Sequence, residues 1–271
     1  MIPVAWYCPA MRPILALLLV LFVSPAWGCG AQSDCRVGER IYRIAMPAGD
    51  VRGAFLFLHG WKGTAAGVLR NRALVNAVTG QGYALVAPEA VGGLWQAANR
   101  PGGQRFSELP FFDALLEDLA DRHAIPRENV VASGFSAGGM MVWNLICKRP
   151  QRFAAFAPIA GTYWSGPRDD CEGRTPPVLH IHGTADRTVP MNGRPIGDTR
   201  QGRVDVAMDH LRGFGVYRPG EDFTTPRLDC TSERDGEGDI LALCLHAKGH
   251  VMPAEFAGFA LKKLREVTRL P

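Results

Sequence analysis

Gly134-Phe135-Ser136-Ala137-Gly138 stands between an apolar run, Val130 to Phe135, and a helix-like stretch from Ala137 to Lys148. The order strand, tight turn, helix is the context in which a strained turn can hold a serine hydroxyl out at the crest of a sheet. The glycines have a steric reason, because side chains flanking such a turn would run into the neighbouring strand and helix. Ser136 is therefore the candidate nucleophile.

Outward from this turn, strand-like runs recur at 40–46, 54–59, 83–88, 155–159, 178–182 and 240–246. Helical patterns fall between them. Phe111, Phe112, Leu115, Leu116 and Leu119 recur at three and four residues, with Glu117, Asp118, Asp121 and Arg122 on the opposite face and Pro110 at a first-turn position. The stretches 69–78, 204–211 and 254–267 read similarly. Alternating strands and helices imply a fold of the α/β class, a mostly parallel sheet covered on both faces. In such sheets the functional loops leave the carboxyl ends of the strands.

A serine hydroxyl needs an imidazole to take its proton and a carboxylate to fix that imidazole's tautomer. His250 follows the run 240–246 through Ala247-Lys248-Gly249, on a loop just past a strand end, and is the candidate base. His246 lies inside the strand, and His123 and His210 belong to helices. Val178-Leu179-His180-Ile181-His182-Gly183 ends in a turn, and Thr184-Ala185-Asp186 puts an acid on the loop that follows. Asp186 is the candidate carboxylate; Asp198 and Asp205 follow no strand directly. The order Ser136, Asp186, His250 is that of α/β-hydrolases. An oxyanion needs two preorganised donors. Ala137 N–H, next after the serine, is one. Phe55-Leu56-Phe57-Leu58-His59-Gly60-Trp61-Lys62-Gly63-Thr64 ends a strand in a glycine-rich turn and offers Trp61 N–H as the other. That turn does not match G-x-x-x-x-G-K-[ST], which argues against a phosphate cradle.

Leu58 to Thr64, Gly134 to Gly139, His182 to Asp186 and Gly249-His250, taken together, resemble secreted polyhydroxybutyrate-depolymerase-like and feruloyl-esterase-like α/β-hydrolases. The resemblance runs from about residue 50 to the end. It implies ester hydrolysis through an acyl-serine with no metal or organic cofactor. It also implies a substrate-lining role for Trp95, with His59 as a second substrate-binding candidate. The chain departs from the family at Lys248-Gly249-His250-Val251-Met252-Pro253, where Gly-Gly-His-x-x-Pro is usual. That change keeps the base and alters the local shape of the cleft. Substrates expected on this basis are polyester oligomers or feruloyl and acetyl esters. A serine peptidase or other acyl hydrolase, and a non-catalytic binding protein on a hydrolase scaffold, are the alternatives.

The chain has 271 residues, 47% of them hydrophobic, and a net charge of +4. Such a charge is too diffuse for a nucleic-acid partner. Arg12, the apolar run 14–23 and Ser24-Pro25-Ala26-Trp27-Gly28 have the three regions of a secretory signal, giving a signal peptide over 1–28 and one catalytic domain over 29–271. The apolar run is too short to span a bilayer. Met11 offers a second start. Export would leave Cys29, Cys35, Cys147, Cys171, Cys230 and Cys244, an even set suited to disulfides in a secreted or periplasmic protein. Cys230 with Cys244 and Cys147 with Cys171 are the expected pairs, the first across a hairpin. Lipid attachment at Cys29 is the rival and would leave an odd number.

Overall fold

The computed structural model describes residues 1–3, 28–174, 176–268 and 270–271. The expected signal segment falls mostly on 4–27, outside the described residues, as does Cys8.

The strands, in chain order, begin with β1 (Cys35–Val37), β2 (Arg40–Ala45), β3 (Gly53–Leu58), β4 (Tyr83–Pro88), β5 (Val130–Phe135), β6 (Ala155–Ile159) and β7 (Val178–Gly183). They continue with β8 (Arg194–Ile196), β9 (Thr199–Gln201), β10 (Arg218–Pro219), β11 (Phe223–Thr224), β12 (Asp229–Arg234) and β13 (Ile240–His246). The helices are α1 (Ala65–Arg70), α2 (Arg72–Thr79), α3 (Leu109–His123), α4 (Ala137–Lys148), α5 (Val204–Arg212) and α6 (Ala254–Val267).

The main sheet runs β1-β2-β4-β3-β5-β6-β7-β13-β12-β10. Its centre, from β4 through β13, is parallel; β2 at one side and β12 at the other pair antiparallel. β3 through β7 are buried at nearly every position, which is why they read as continuous apolar runs rather than alternating ones. Two buried clusters cover the two faces. One is built on α3, α4 and α5 with Phe112, Leu115, Trp143 and Met208, the other on α2 and α6 with Leu74, Val78, Phe256 and Leu261. This is the expected α/β-hydrolase architecture. Residues 160–177, between β6 and β7, add no helix and no strand to the main sheet, and the small β8–β9 hairpin is the main addition above it, so no large lid is seen among the described residues.

Local departures have local causes. The single helix expected over 69–78 is two, because Asn71 leaves the helical conformation and its side chain accepts from Leu74 N–H, capping α2. Three disulfides join Cys29–Cys35, Cys147–Cys171 and Cys230–Cys244, so both expected pairs form. Cys230 and Cys244 face each other in the β12–β13 register. Among the described residues no helix is long and apolar enough to cross a membrane.

Candidate active site

β5 ends at Phe135, and the chain reverses through Ser136 into α4. Ser136 has φ 56° and ψ −118°, a conformation that L residues rarely adopt and that is held here by its surroundings. Its N–H donates to the Ile159 carbonyl at 3.0 Å, and its own carbonyl accepts from Met140 N–H at 2.9 Å. The turn closes because nothing projects from the glycines around it. A Cβ on Gly138 would lie 2.0 Å from the Leu58 carbonyl oxygen, and one on Gly134 would lie 2.7 Å from the Gly138 backbone. Helix, elbow and β3 therefore pack at backbone contact.

The end of β3 brings the second donor loop to the same place. Gly60 passes Phe135 and Ser136 at about van der Waals distance, 3.5–3.6 Å for an added Cβ. Lys62 N–H donates to Gly93 and Gly63 N–H to Gly60, which fixes the loop on both sides of Trp61. Among the described residues, neither Trp61 N–H nor Ala137 N–H is spent on a backbone acceptor. Two unspent N–H groups on adjoining loops are what an oxyanion hole requires.

β7 and β13 are parallel neighbours, so the loops after them leave the sheet side by side. Gly183 makes their close approach possible, since a Cβ there would meet the Lys248 carbonyl oxygen at 2.4 Å. Asp186 Oδ1 accepts from Thr188 N–H and Val189 N–H, both at 2.8 Å, and its Oδ2 faces His250 Nδ1 at 2.7 Å. A carboxylate accepts only, so His250 carries its hydrogen on Nδ1 and keeps a basic lone pair on Nε2. The imidazole packs on Phe135, with ring centroids 4.7 Å apart, next to Ser136 in the chain. Ser136 with Ala137, Asp186, His250 and Trp61 thus come from four segments to one end of the parallel strands.

Trp95 and His59 depart from expectation. Trp95 is 2% exposed and lies between His59 and Phe112, its indole N–H donating to the His59 carbonyl at 2.9 Å. His59 is 3% exposed; its Nδ1–H donates to the Gly60 carbonyl at 2.8 Å and its Nε2 accepts from Ala90 N–H at 3.2 Å. Both are buried, and their hydrogen bonds to the His59 and Gly60 carbonyls brace the Trp61 loop. Burial lowers the His59 pKa, against the Gly60 carbonyl and the Glu89 charge. Next to Trp95 in the chain, Gln96 is held by Glu108, which is fully buried. It accepts from Arg40 at 2.9 Å and from Gln96 N–H at 3.0 Å. The side chains that do reach the surface beside the site are Trp61, 66% exposed with Lys62 Nζ over its ring, and Val251, next to His250.

Comparison with known proteins agrees with the fold. The phospholipase/carboxylesterase family matches over residues 108–195. NocK of Nocardia uniformis subsp. tsuyamanensis, provisionally named an esterase, is 34% identical over 164 residues, covering 57% of this chain and 47% of NocK. Feruloyl esterase C of Emericella nidulans is 34% identical, covering 42% of this chain and 39% of that protein. Feruloyl esterase D of Neurospora crassa is 28% identical, covering 63% and 65%. The chain thus spans less than two-thirds of each of these relatives. Among solved structures, the acetyl xylan esterase from Aspergillus awamori superposes with a TM-score of 0.59 at 15% identity, covering 82% of this chain and 94% of that one. The Bacillus cereus carboxylesterase does so with 0.57 at 14%, covering 85% and 95%. Identities this low speak to fold alone. The chain is an α/β-hydrolase in fold and is similar in sequence to the carboxylesterase and feruloyl esterase families.

Proposed function

We propose that the protein is an exported serine hydrolase of carboxylic esters, with Ser136 as nucleophile, His250 as general base and Asp186 as its orienting carboxylate. The observation that carries the reading is the His250–Asp186 contact of 2.7 Å, beside a strained serine turn whose neighbouring N–H groups are unspent. Ser136 Oγ attacks the ester carbonyl while His250 Nε2 takes its proton. The oxygen of the tetrahedral intermediate is held by Ala137 N–H and Trp61 N–H. His250 returns the proton to the leaving alcohol, and the acyl-serine is then cleaved by water that His250 deprotonates.

The substrate class is a feruloyl or acetyl ester, or the chain end of a polyester, entering an uncovered crest where Trp61 and Val251 offer apolar surface. Three disulfides support an oxidising destination. Mass spectrometry after reaction with an activated acetyl or feruloyl ester tests the mechanism. One acyl group on the peptide bearing Ser136, absent from Ser136→Ala, is the expected result. Acylation elsewhere, or undiminished turnover by Ser136→Ala, would overturn it.

A further inference from the structure

β7 carries His180 and His182, two residues apart and so on one face of the strand. Both are fully buried. His180 Nδ1 lies 3.0 Å from the Pro158 carbonyl oxygen, His180 Nε2 lies 3.0 Å from His182 Nδ1, and His182 Nε2 lies 2.8 Å from the Val189 carbonyl oxygen. A carbonyl only accepts, so both outer nitrogens must carry hydrogen. The inner pair also needs one hydrogen, because two bare lone pairs at hydrogen-bond distance repel. Three hydrogens on four nitrogens is one more than two neutral imidazoles hold.

The extra proton has a counter-charge within reach, since Asp186 Oδ2 stands 3.8 Å from His182 Nε2. Burial, and then the neighbouring His182, push the His180 pKa well down, making His180 the neutral member that accepts at Nε2. Burial is the largest influence on His182 too and leaves its pKa lowered, though the Val189 carbonyl and the Asp186 charge work against it, so the case for charge on this ring rests on the hydrogen-bond geometry. The other groups facing the pair are His250 on the loop after β13 and His246 on β13 itself, both disfavouring the charge. From α4 only the uncharged Trp143 meets His180, edge-on at 5.4 Å, and β6 presents the Pro158 carbonyl. Asp186 is thus the only anion bearing on the pair among these neighbours, and the proton belongs on the ring nearer to it.

We propose that His180 and His182 form a buried imidazole–imidazolium pair that positions Asp186, an assignment that rests on reading Asp186 as the orienting carboxylate. The link is short. His182 Nε2–H holds the Val189 carbonyl, and Val189 N–H holds Asp186 Oδ1 at 2.8 Å. His182 therefore fixes the loop that aims Asp186 Oδ2 at His250 and supplies the positive charge on that carboxylate's inner side. Neutralising the pair breaks one of its three contacts and loosens the Val189 anchor.

Nuclear magnetic resonance of the whole protein carrying isotopically labelled histidine counts the ring hydrogens directly. The two rings are assigned in the wild type from their proximity to Trp143 and Val189, so no variant has to fold. At about pH 7 the expected count is three hydrogens on the four nitrogens; two would overturn the proposal. Kinetics supply the second readout. His182→Leu should lower kcat by about 10²-fold with KM little changed, as a misaimed group does. His182→Gln, which can still donate to Val189, should recover most of that loss. Wild-type kcat in His182→Leu, or equal losses in both variants, would overturn the positioning role. Asp186→Asn separates the two readings: if it is fully active the triad fails, whereas an inactive Asp186→Asn beside an unimpaired His182→Leu removes only the pair's role.

Discussion

His250 Nδ1 stands 2.7 Å from Asp186 Oδ2, and the carboxylate is wholly buried while the imidazole keeps 17% of its surface. One partner is immobilised by backbone N–H groups and the other is left able to meet a substrate. That division of labour sets the first prediction. Asp186→Asn keeps an oxygen for Thr188 and Val189 N–H but presents an amide to His250, forcing the wrong tautomer. Folding should be unchanged by circular dichroism and kcat should fall by about 10⁴-fold. A loss of less than tenfold would mean that Asp186 does not set the tautomer.

Gly138 touches β3 where no side chain fits. In Gly138→Ala the new Cβ would sit 2.0 Å from the Leu58 carbonyl oxygen, with the Leu58 carbonyl carbon at 2.6 Å and the His59 carbonyl oxygen at 2.7 Å. None of these is a flexible side-chain end. The variant should lose about 3 kcal/mol in urea unfolding, and its residual folded fraction should hydrolyse esters slowly because α4 and Ala137 N–H are displaced. An unchanged unfolding midpoint would show that the elbow has slack the packing does not suggest.

His59 ties stability to pH. Burial holds its folded pKa below the ordinary 6.5, so the unfolded chain binds its proton first as pH falls. The associated stability is complete above the unfolded value and is lost as pH drops through about 6.5 toward the depressed folded value. Protonation also removes the Nε2 acceptor used by Ala90 N–H. Denaturant titrations of wild type and His59→Gln from about pH 8 to 5 should show stability falling more steeply in the wild type. Parallel slopes would assign the acid sensitivity to other buried histidines.

Cys230–Cys244 closes a loop of sequence separation 14 across β12 and β13, just before the His250 loop. Replacing both cysteines by serine frees the unfolded chain and should cost about 3 kcal/mol. The β12–β13 ladder supplies the native geometry on its own, so kcat at 25 °C should stay near wild type. Chemical denaturation alongside steady-state kinetics checks both halves; a large fall in kcat without loss of stability would contradict the assignment of a purely stabilising role.

The catalytic candidates were readable because each sits one turn beyond a strand that is buried on both faces, and such strands announce themselves as apolar runs. β4, β5, β6 and β13 begin and end at the expected residues for that reason. β1, β10 and β11 are edge pieces of two or three residues with no period to read. Trp95 and His59 show the limit more sharply. Both lie on or beside the loops above the sheet, yet contacts with Phe112, Ala90 and each other turn them inward, and nothing local distinguishes that from facing a cleft. The His180 and His182 pair left a period-two signal in β7, but its meaning depends on the Pro158 and Val189 carbonyls, one of them on another strand.

The shape of the crest decides chain length. The β8–β9 hairpin is fastened to neighbouring loops through Thr199, which donates to the Asn99 carbonyl at 2.9 Å and pairs with Ser165 at 2.6 Å. A lipase acting on emulsified fat needs a broad apolar cover that opens at the interface; here the exposed apolar side chains on the loops around the elbow include Trp61 and Val251. On the proposed reading, short and aryl acyl groups rest there, whereas a sixteen-carbon chain would lie mostly in water. Hydrolysis of p-nitrophenyl acetate should therefore exceed that of the palmitate ester by at least about tenfold in kcat/KM, with no jump in rate when the palmitate passes its solubility limit. Faster palmitate hydrolysis, or activation at an oil surface, would show that the crest binds long chains by a route other than Trp61 and Val251.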